Sequence, residues 1–479
     1  MSISSPASTD LSPSLAGDTA APLRAELYSA TQMAQHGRLL ATRHRIVRTS
    51  AGDRLLARLT DNDSVITEAV QLLTDAVKAK RQITPAGEWL LDNYYLIEQQ
   101  IAMARRHLPK GYSKQLPVLD EAEAAEPAPR AYALALEAVA HGDGRIDPES
   151  LARFIAAYQE HSTLQLGELW AIPIMLRLAL IENLRRVAAR ILLAAQQRDQ
   201  ANAWAERMMD IAERKPADLI LLVADMARAQ PQLSSAYVAE LARRLQNKPA
   251  LTLPLTWVAQ RLAESNDTID QMVQSETQNQ AAAQVSIANS IGSLRLLATL
   301  DWREFVETHS AVEQLLLTDV AGLYGRMDFA TRDHYRHMVE RLARKTGLDE
   351  TEVARRALYQ ATRAAGAEGR KARSAHVGFY LTGPAMRAFE SSLEGPAEGA
   401  LAPLPATDDN RGATVRYLAA IAGLTLLFAG GMTAHAWQEG WRGWTLLAVA
   451  GVGGLAASQL ALVLVNWLCT LITYPRPLP

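Results

Sequence analysis

Two apolar runs near the carboxyl end constrain this chain more than any other feature. From Tyr417 to Trp437 it reads YLAAIAGLTLLFAGGMTAHAW, with His435 the only ionisable group besides the leading tyrosine. From Trp444 to Ile472 the polar interruptions are Ser, Thr, Gln459 and Asn466. An apolar helix of about 20 residues crosses the hydrocarbon core of a bilayer. Two membrane spans joined by the tight turn QEGWRG are therefore expected. Trp437, Trp441 and Trp444 at the turn, with Tyr417 and Tyr474 on the other side, suit the two membrane interfaces. Arg411 and Arg416 precede the first span and Arg476 follows the second, whereas the turn offers Arg442 beside Glu439. Positive residues favour the cytoplasmic side, so both long ends are expected there.

The 400 or so residues before the spans carry a helical pattern. From Leu166, LGELWAIPIMLRLALIENLRRVAARILLAAQQ places Leu169, Ile172, Leu176, Leu180 and Leu184 on one face at three-to-four spacing, with Pro173 as a kink or first-turn residue. Thr84-Pro85 and Asp147-Pro148-Glu149 each set a capping side chain before a proline at the first helical position. Further helices are expected at 216–230, 232–246, 268–299, 328–346 and 349–366, with no run of alternating β-branched residues and no fixed repeat period. The expected fold is all-α, an array of packed antiparallel helices followed by a two-helix transmembrane hairpin.

Composition marks the boundaries. MSISSPASTDLSPSLAGD has neither a basic n-region nor a continuous apolar core, so residues 1–22 read as a disordered leader rather than a secretory signal. An N-terminal helical part covers 23–119. Acidic DEAEAAEPAPR at 120–130 separates it from the main array at 130–390. SSLEGPAEGALAPLPATDDNR opens a linker over 391–416, the hairpin follows at 417–472, and 473–479 begin a tail.

Charge and cysteine content exclude several functions. Lys and Arg number 49 against 51 Asp and Glu, too balanced for nonspecific nucleic-acid binding, and only 6% of residues are aromatic. No nucleic-acid partner is expected. Cys469 is the one cysteine, which rules out intrachain disulfides and multi-thiolate zinc sites.

Several strings have the letters of a known site without its context. Asp61-Asn62-Asp63 is a D-x-D just before SVITEAVQLLTDAV, read here as helix capping by Asp63 or Ser64. WQEGWRGW holds Gln438, Trp441 and Arg442 in the wrong order for a Q-x-x-R-W acceptor motif. Gly451, Gly453 and Ala456 have dinucleotide-fold spacing but sit inside a membrane span, where small residues serve close helix packing. HGDGRIDPES, with Asp143, Gly144 and Asp147, would place Val139 and Ser150 at the first and twelfth positions of a calcium loop, so it reads as a turn before a capped helix. His334 and His337, with Asp333 and Glu340 nearby, lack the H-E-x-x-H pattern and are read as surface or interhelical hydrogen-bonding groups. No G-x-S-x-G or P-loop string is present. No catalytic, cofactor or metal residue is assigned.

Two constellations remain as a partner or sugar surface. Trp89, Asp92, Asn93, Tyr94, Tyr95 and Glu98 mix aromatic faces with polar ends, against a plain reading in which Trp89 and Tyr95 pack in the core. Glu168, Trp170, Arg177, Glu182, Asn183, Arg185 and Arg186 put charge on an apolar helix, where Glu182 and Arg186 are spaced for an intrahelical pair and a buried docking network is the alternative. Arg370, Lys371 and Arg373 form a small basic run read as a solvated face, with anionic lipid headgroups as the alternative.

Three longer strings carry a family resemblance: RQITPAGEWLLDNYYLIEQQIAMARRHLPKGYSKQLPVL at 81–119, AYQEHSTLQLGELWAIPIMLRLALIENLRRVA at 157–188, and MDFATRDHYRHMVERLAR at 327–344. HVGFYLTG at 376–383 and the final NWLCTLITYPRPLP fit the same picture. Over these strings the chain resembles the amino-terminal region of bacterial cyclic β-1,2-glucan synthases. The resemblance implies an inner-membrane helical region that precedes a processive transferase domain of glycosyltransferase family 84 and a glycoside-phosphorylase-like domain, both missing here. UDP-glucose and a divalent metal would belong to that transferase, and membrane lipid and the transferase, in cis or in trans, would be the partners. The chain itself is expected to be noncatalytic and to support glucosyl transfer for periplasmic cyclic glucan. A freestanding membrane-tethered scaffold for a separate partner is the alternative, and a metal enzyme built on His334 and His337 a third.

Overall fold

The computed structural model describes residues 26–47, 54–108, 116–120, 128–246, 248–394 and 410–473. The leader, most of the acidic loop, residues 395–409 of the linker, and Tyr474 and Arg476 in the tail lie outside the described residues. The chain divides into two units, Met1–Gln314 and Leu315–Pro479.

The first unit holds α1 (Ala30–Arg43), α2 (Arg54–Lys78), α3 (Pro85–Asp92), α4 (Tyr94–His107), α5 (Arg130–His141), α6 (Pro148–Gln159), α7 (Leu166–Arg214), α8 (Leu219–Ala229), α9 (Ser235–Leu245), α10 (Thr252–Ala263), α11 (Ile269–Leu297) and α12 (Trp302–His309). One two-residue antiparallel pair, β1 (Ile46–Val47) with β2 (Val118–Leu119), interrupts the helices. The caps form as the sequence dictates. Thr84 Oγ1 accepts from Gly87 N at 3.3 Å, and Asp147 Oδ2 from Ser150 N at 2.9 Å. The second contact makes Asp147 the cap of α6, and Gly144 at φ +78° sits so close that a Cβ would lie 2.3 Å from Ser290 Oγ.

The 49 residues of α7 organise this unit. At 1.5 Å per residue it is about 73 Å long and continues through Pro173, at the expense of the backbone bond to Leu169. Its first half is buried on every side rather than along one face: Leu176 through Arg185 are all buried. That half threads a core made with α1–α6, the end of α11 and α12. The other half, through Ala201, Ala205 and Met208, joins a separate core with α8, α9, α10 and the start of α11.

Asp61, Asn62 and Asp63 lie inside α2, not before a helix, because α2 already starts at Arg54. Asp63 pairs with Arg105 at 2.7 Å. Asn62 turns inward. A D-x-D inside a helix points its two acids about 200° apart around the axis, so they do not converge on a metal.

After α13 (Ala311–Leu316), which straddles the boundary, the second unit contains α14 (Phe329–Thr346), α15 (Glu350–Glu368), α16 (Gly378–Leu381), α17 (Met386–Leu393), α18 (Asn410–Gln438) and α19 (Trp444–Thr473). The HVGFYLTG string folds around a fully buried carboxylate. Asp319 accepts from Val377 N at 3.1 Å and holds His376 Nδ1 at 2.7 Å. Gly378 fits against Tyr335, whose hydroxyl would lie 2.3 Å from any Cβ there.

Helices α18 and α19 pack as an antiparallel hairpin, each long and apolar enough to cross a membrane. None of the apolar window of α18 is buried, and 22% of that of α19 is, unlike core helices of a soluble domain. Gly453, Ala457, Ala461 and Val465 form the buried seam of α19 at four-residue spacing, with Met432 opposite Gly453. Gly451 and Ala456 face outward, so of the three small residues singled out in the sequence Gly453 alone joins the seam. Tyr417 donates across the hairpin to Asn466 Oδ1 at 2.7 Å. At the turn, Gly440 and Gly443 take positive φ, and the Arg442 guanidinium lies 5.6 Å over the Trp437 ring.

Candidate functional site

Where α7 passes from one core to the other its sequence turns polar, and α11 does the same. Arg190, Gln197 and Arg198 of α7 face Glu276, Asn279 and Gln280 of α11, with Ser235 at the start of α9. They line a cavity of about 140 Å³ with an apolar floor from Ile191, Ala194 and Ala283. Glu276 is 7% exposed. Its carboxylate accepts from Gln280 Nε2 at 2.8 Å, Ser235 Oγ at 2.9 Å and Arg198 Nη1 at 3.3 Å. Arg190 donates to Asn279 Oδ1 at 3.4 Å. The pocket offers donors and acceptors to a small hydroxylated ligand, with Glu276 as its one carboxylate. No pair of acids flanks a reaction centre there. None of these polar residues of α7, α9 and α11 was singled out from the sequence, since the signal is a polar interruption shared by two helices about 80 residues apart.

The charges on the first half of α7 are structural. Glu168 is fully buried and clamps the fully buried Arg130 of α5: Arg130 Nε donates to Glu168 Oε1 at 2.8 Å and Nη2 to Oε2. The same guanidinium donates to Ser162 Oγ at 2.8 Å and Thr163 O at 3.0 Å, and lies 5.8 Å over the Tyr158 ring. Burial alone would lower the Arg130 pKa, and the Glu168 carboxylate more than reverses that. Glu168 also accepts from Gln165 N at 2.9 Å and so caps α7.

Two and a half turns further on, Arg177 donates to Gln100 Oε1 at 2.8 Å, and burial lowers its pKa. Glu182 takes Arg186 at 2.8 Å, the intrahelical pair expected from the spacing, and Arg185 at 3.2 Å as well. It also takes a hydrogen bond from Asn62 of α2. Burial pushes the Glu182 carboxyl up, but Arg185, Arg186 and Asn62 together hold it below its usual range. Burial pushes the nearby Tyr132 hydroxyl up to about 12, with Glu182 reinforcing it. Asn183 donates to Ser286 and Ser290 Oγ of α11 at 3.0 and 3.1 Å, and Trp170 is half-buried beside the first core. These groups tie α2, α4, α5 and α11 to α7 inside one unit.

The other constellation lies at the surface. Trp89 is 40% and Tyr95 64% exposed, contrary to the core-packing reading, and Asp92 and Glu98 are exposed with them. Asn93 is buried, donating to Trp89 O at 2.9 Å and accepting from Arg295 Nη2 at 2.8 Å, and Tyr94 contacts Thr67 Oγ1 at 3.0 Å. Leu90, Ile97 and Ile101 take the core positions instead. Arg370, Lys371 and Arg373 are exposed around a turn.

His334 is exposed, and His337 contacts acids of its own helix, Glu340 at 2.9 Å and Asp333 at 3.4 Å. The hydrogen bond to Asp333, then that to Glu340, lifts the His337 pKa from 6.5 to about 10. A raised histidine pKa gives stability that is complete below the ordinary value of 6.5 and lost as pH rises through about 10. The urea midpoint of α14 and α15 unfolding is therefore expected to decline over that alkaline window, modestly because half the ring is in water. His337→Gln should flatten the decline. An unchanged slope in that variant would refute the assignment.

No family model matches the chain. It is 31% identical over 340 residues to the cyclic beta-(1,2)-glucan synthase NdvB of Rhizobium meliloti (strain 1021), an alignment that takes in 70% of this chain and 12% of that protein. The resemblance to bacterial cyclic β-1,2-glucan synthases read from the sequence is thus a measured likeness to one segment of a much longer relative.

Proposed function

We propose that this chain is a membrane-anchored, noncatalytic module of a cyclic β-1,2-glucan synthase, placed at the bacterial inner membrane with its helical region in the cytoplasm. The observation that carries the reading is the likeness to NdvB over 340 residues. The apolar hairpin, with its outward-facing Leu426, Leu427, Val452 and Leu455, supports an anchor in lipid. The cavity at Glu276 supports binding rather than catalysis. Glucosyl transfer from UDP-glucose, and the divalent metal that neutralises the departing diphosphate, belong to a transferase domain working with this module in cis or in trans. Anchoring would hold that domain where cytosolic UDP-glucose is available and glucan can pass to the periplasm.

The test supplies radiolabelled UDP-glucose to membranes carrying this chain alone, and to membranes that also carry a transferase half of such a synthase. The chain alone is expected to make no glucan, and the pair to exceed the transferase half alone. Robust synthesis by the chain alone, or no gain from adding it, would overturn the proposal.

A further inference from the structure

Helices α1 and α5 bring His36 together with two side chains about a hundred residues further along the sequence. His36 Nε2 lies 2.7 Å from Glu137 Oε2, and His141 Nε2 lies 3.3 Å from the same oxygen. All three ligand atoms fall within 4.8 Å of one another. Glu137 and His141 are four residues apart and share one face of α5. Their side chains are 36% and 9% exposed, and that of His36 is 16% exposed, so the cluster is rooted in the wall but open at the carboxylate.

The hydrogen bonding limits what can sit between these groups. His141 Nδ1 lies 2.6 Å from the Glu26 carbonyl oxygen, which can only accept, so Nδ1 carries its proton. In the neutral ring, Nε2 then presents a lone pair to the Glu137 carboxylate, an arrangement that repels. A cation removes the repulsion, either a second proton on the ring or a metal ion. The rings are already oriented for the second. Tyr28 stacks on His141 with centroids 3.9 Å apart and meets His36 edge-on at 5.4 Å. A backbone carbonyl on the far nitrogen is the usual partner of a metal-bound histidine. Tetrahedral zinc with bonds near 2.0–2.1 Å spaces its donors roughly 3.3 Å apart. The His141–Glu137 spacing already matches, the His36–Glu137 contact would open by about half an ångström, and the third pair, His36 with His141, lies within 4.8 Å and closes to the same spacing on binding.

We propose that His36, Glu137 and His141 bind one divalent transition metal of the zinc class, leaving a fourth position for water. Two imidazole nitrogens and one carboxylate oxygen suit zinc over magnesium or calcium, which take oxygen ligands throughout. Of the three ligands His141, with Tyr28 beside it, also lines a cleft of about 550 Å³. The bound ion fastens α1 to α5. The proposal is independent of the synthase reading.

The test uses the full chain, purified in detergent without a polyhistidine tag and stripped with chelator. Titration with Co²⁺ at neutral pH is expected to give the visible d–d bands of a low-coordinate site, saturating at one equivalent and lost on adding Zn²⁺. Glu137→Gln and His36→Gln should each weaken binding by about 10-fold or more, with helical circular dichroism unchanged, while His334→Gln leaves it intact. The wild-type titration decides the matter even if a variant fails to fold. Absence of a saturable cobalt spectrum would assign the central cation as a proton and overturn the proposal. Binding unchanged in Glu137→Gln and His36→Gln would overturn it as well.

Discussion

Glu168→Ala is expected to destabilise the first unit by about 3–5 kcal/mol, because it strands the Arg130 guanidinium in a dry interior. Arg130 is 1% exposed and cannot swing to water without breaking its bonds to Ser162 and Thr163. The same substitution removes the cap on Gln165 N, adding about 1 kcal/mol. Urea unfolding of the full chain in mild detergent, followed by far-ultraviolet circular dichroism, measures the change. Arg130→Met combined with Glu168→Leu should recover much of it, since removing both charges leaves no unpaired ion. If Glu168→Ala alone left the midpoint unchanged, the buried pair would not be what holds α5 to the start of α7.

Deleting residues 395–479 should move the protein from the membrane pellet to the supernatant. The intact chain should stay in the pellet through an alkaline carbonate wash. The difference rests on α18 and α19, whose outward faces are leucine, valine and tryptophan with no partner helix among the described residues to cover them. Leu426→Arg and Leu427→Arg test the same point inside the intact chain. Both positions lie near the middle of α18, 74% and 67% exposed, and a charge at the centre of a span raises the insertion free energy by about 2.5–3.5 kcal/mol. Carbonate release of these variants but not of the parent is the expected outcome. Release of the unmodified chain would remove the membrane from the proposal altogether.

Much of the helical layout was legible in the sequence because its signals are local. Segments expected at 268–299, 328–346 and 349–366 form as Ile269–Leu297, Phe329–Thr346 and Glu350–Glu368. Proline at a first helical position after Thr84 or Asp147 fixes a start whatever packs around it. The role of a charge was not legible. The spacing of Glu182 and Arg186 shows that they can pair, but not that Asn62 joins them from α2, and nothing near Glu168 in sequence points to Arg130, 38 residues earlier. Trp89 and Tyr95 were expected in the core by residue type and lie outside it, because Leu90, Ile97 and Ile101 already fill the inward positions.

The amino-acid order therefore determined the helices, their caps, the apolar hairpin and the likeness to a segment of a glucan synthase, all of which depend on neighbours within a turn or two or on strings read whole. Tertiary structure alone decided that α7 links two cores, that a polar cavity opens at their junction, and that His36 meets Glu137 and His141. Such meetings depend on how long helices cross, and crossing is set by the summed fit of many apolar side chains rather than by any short motif.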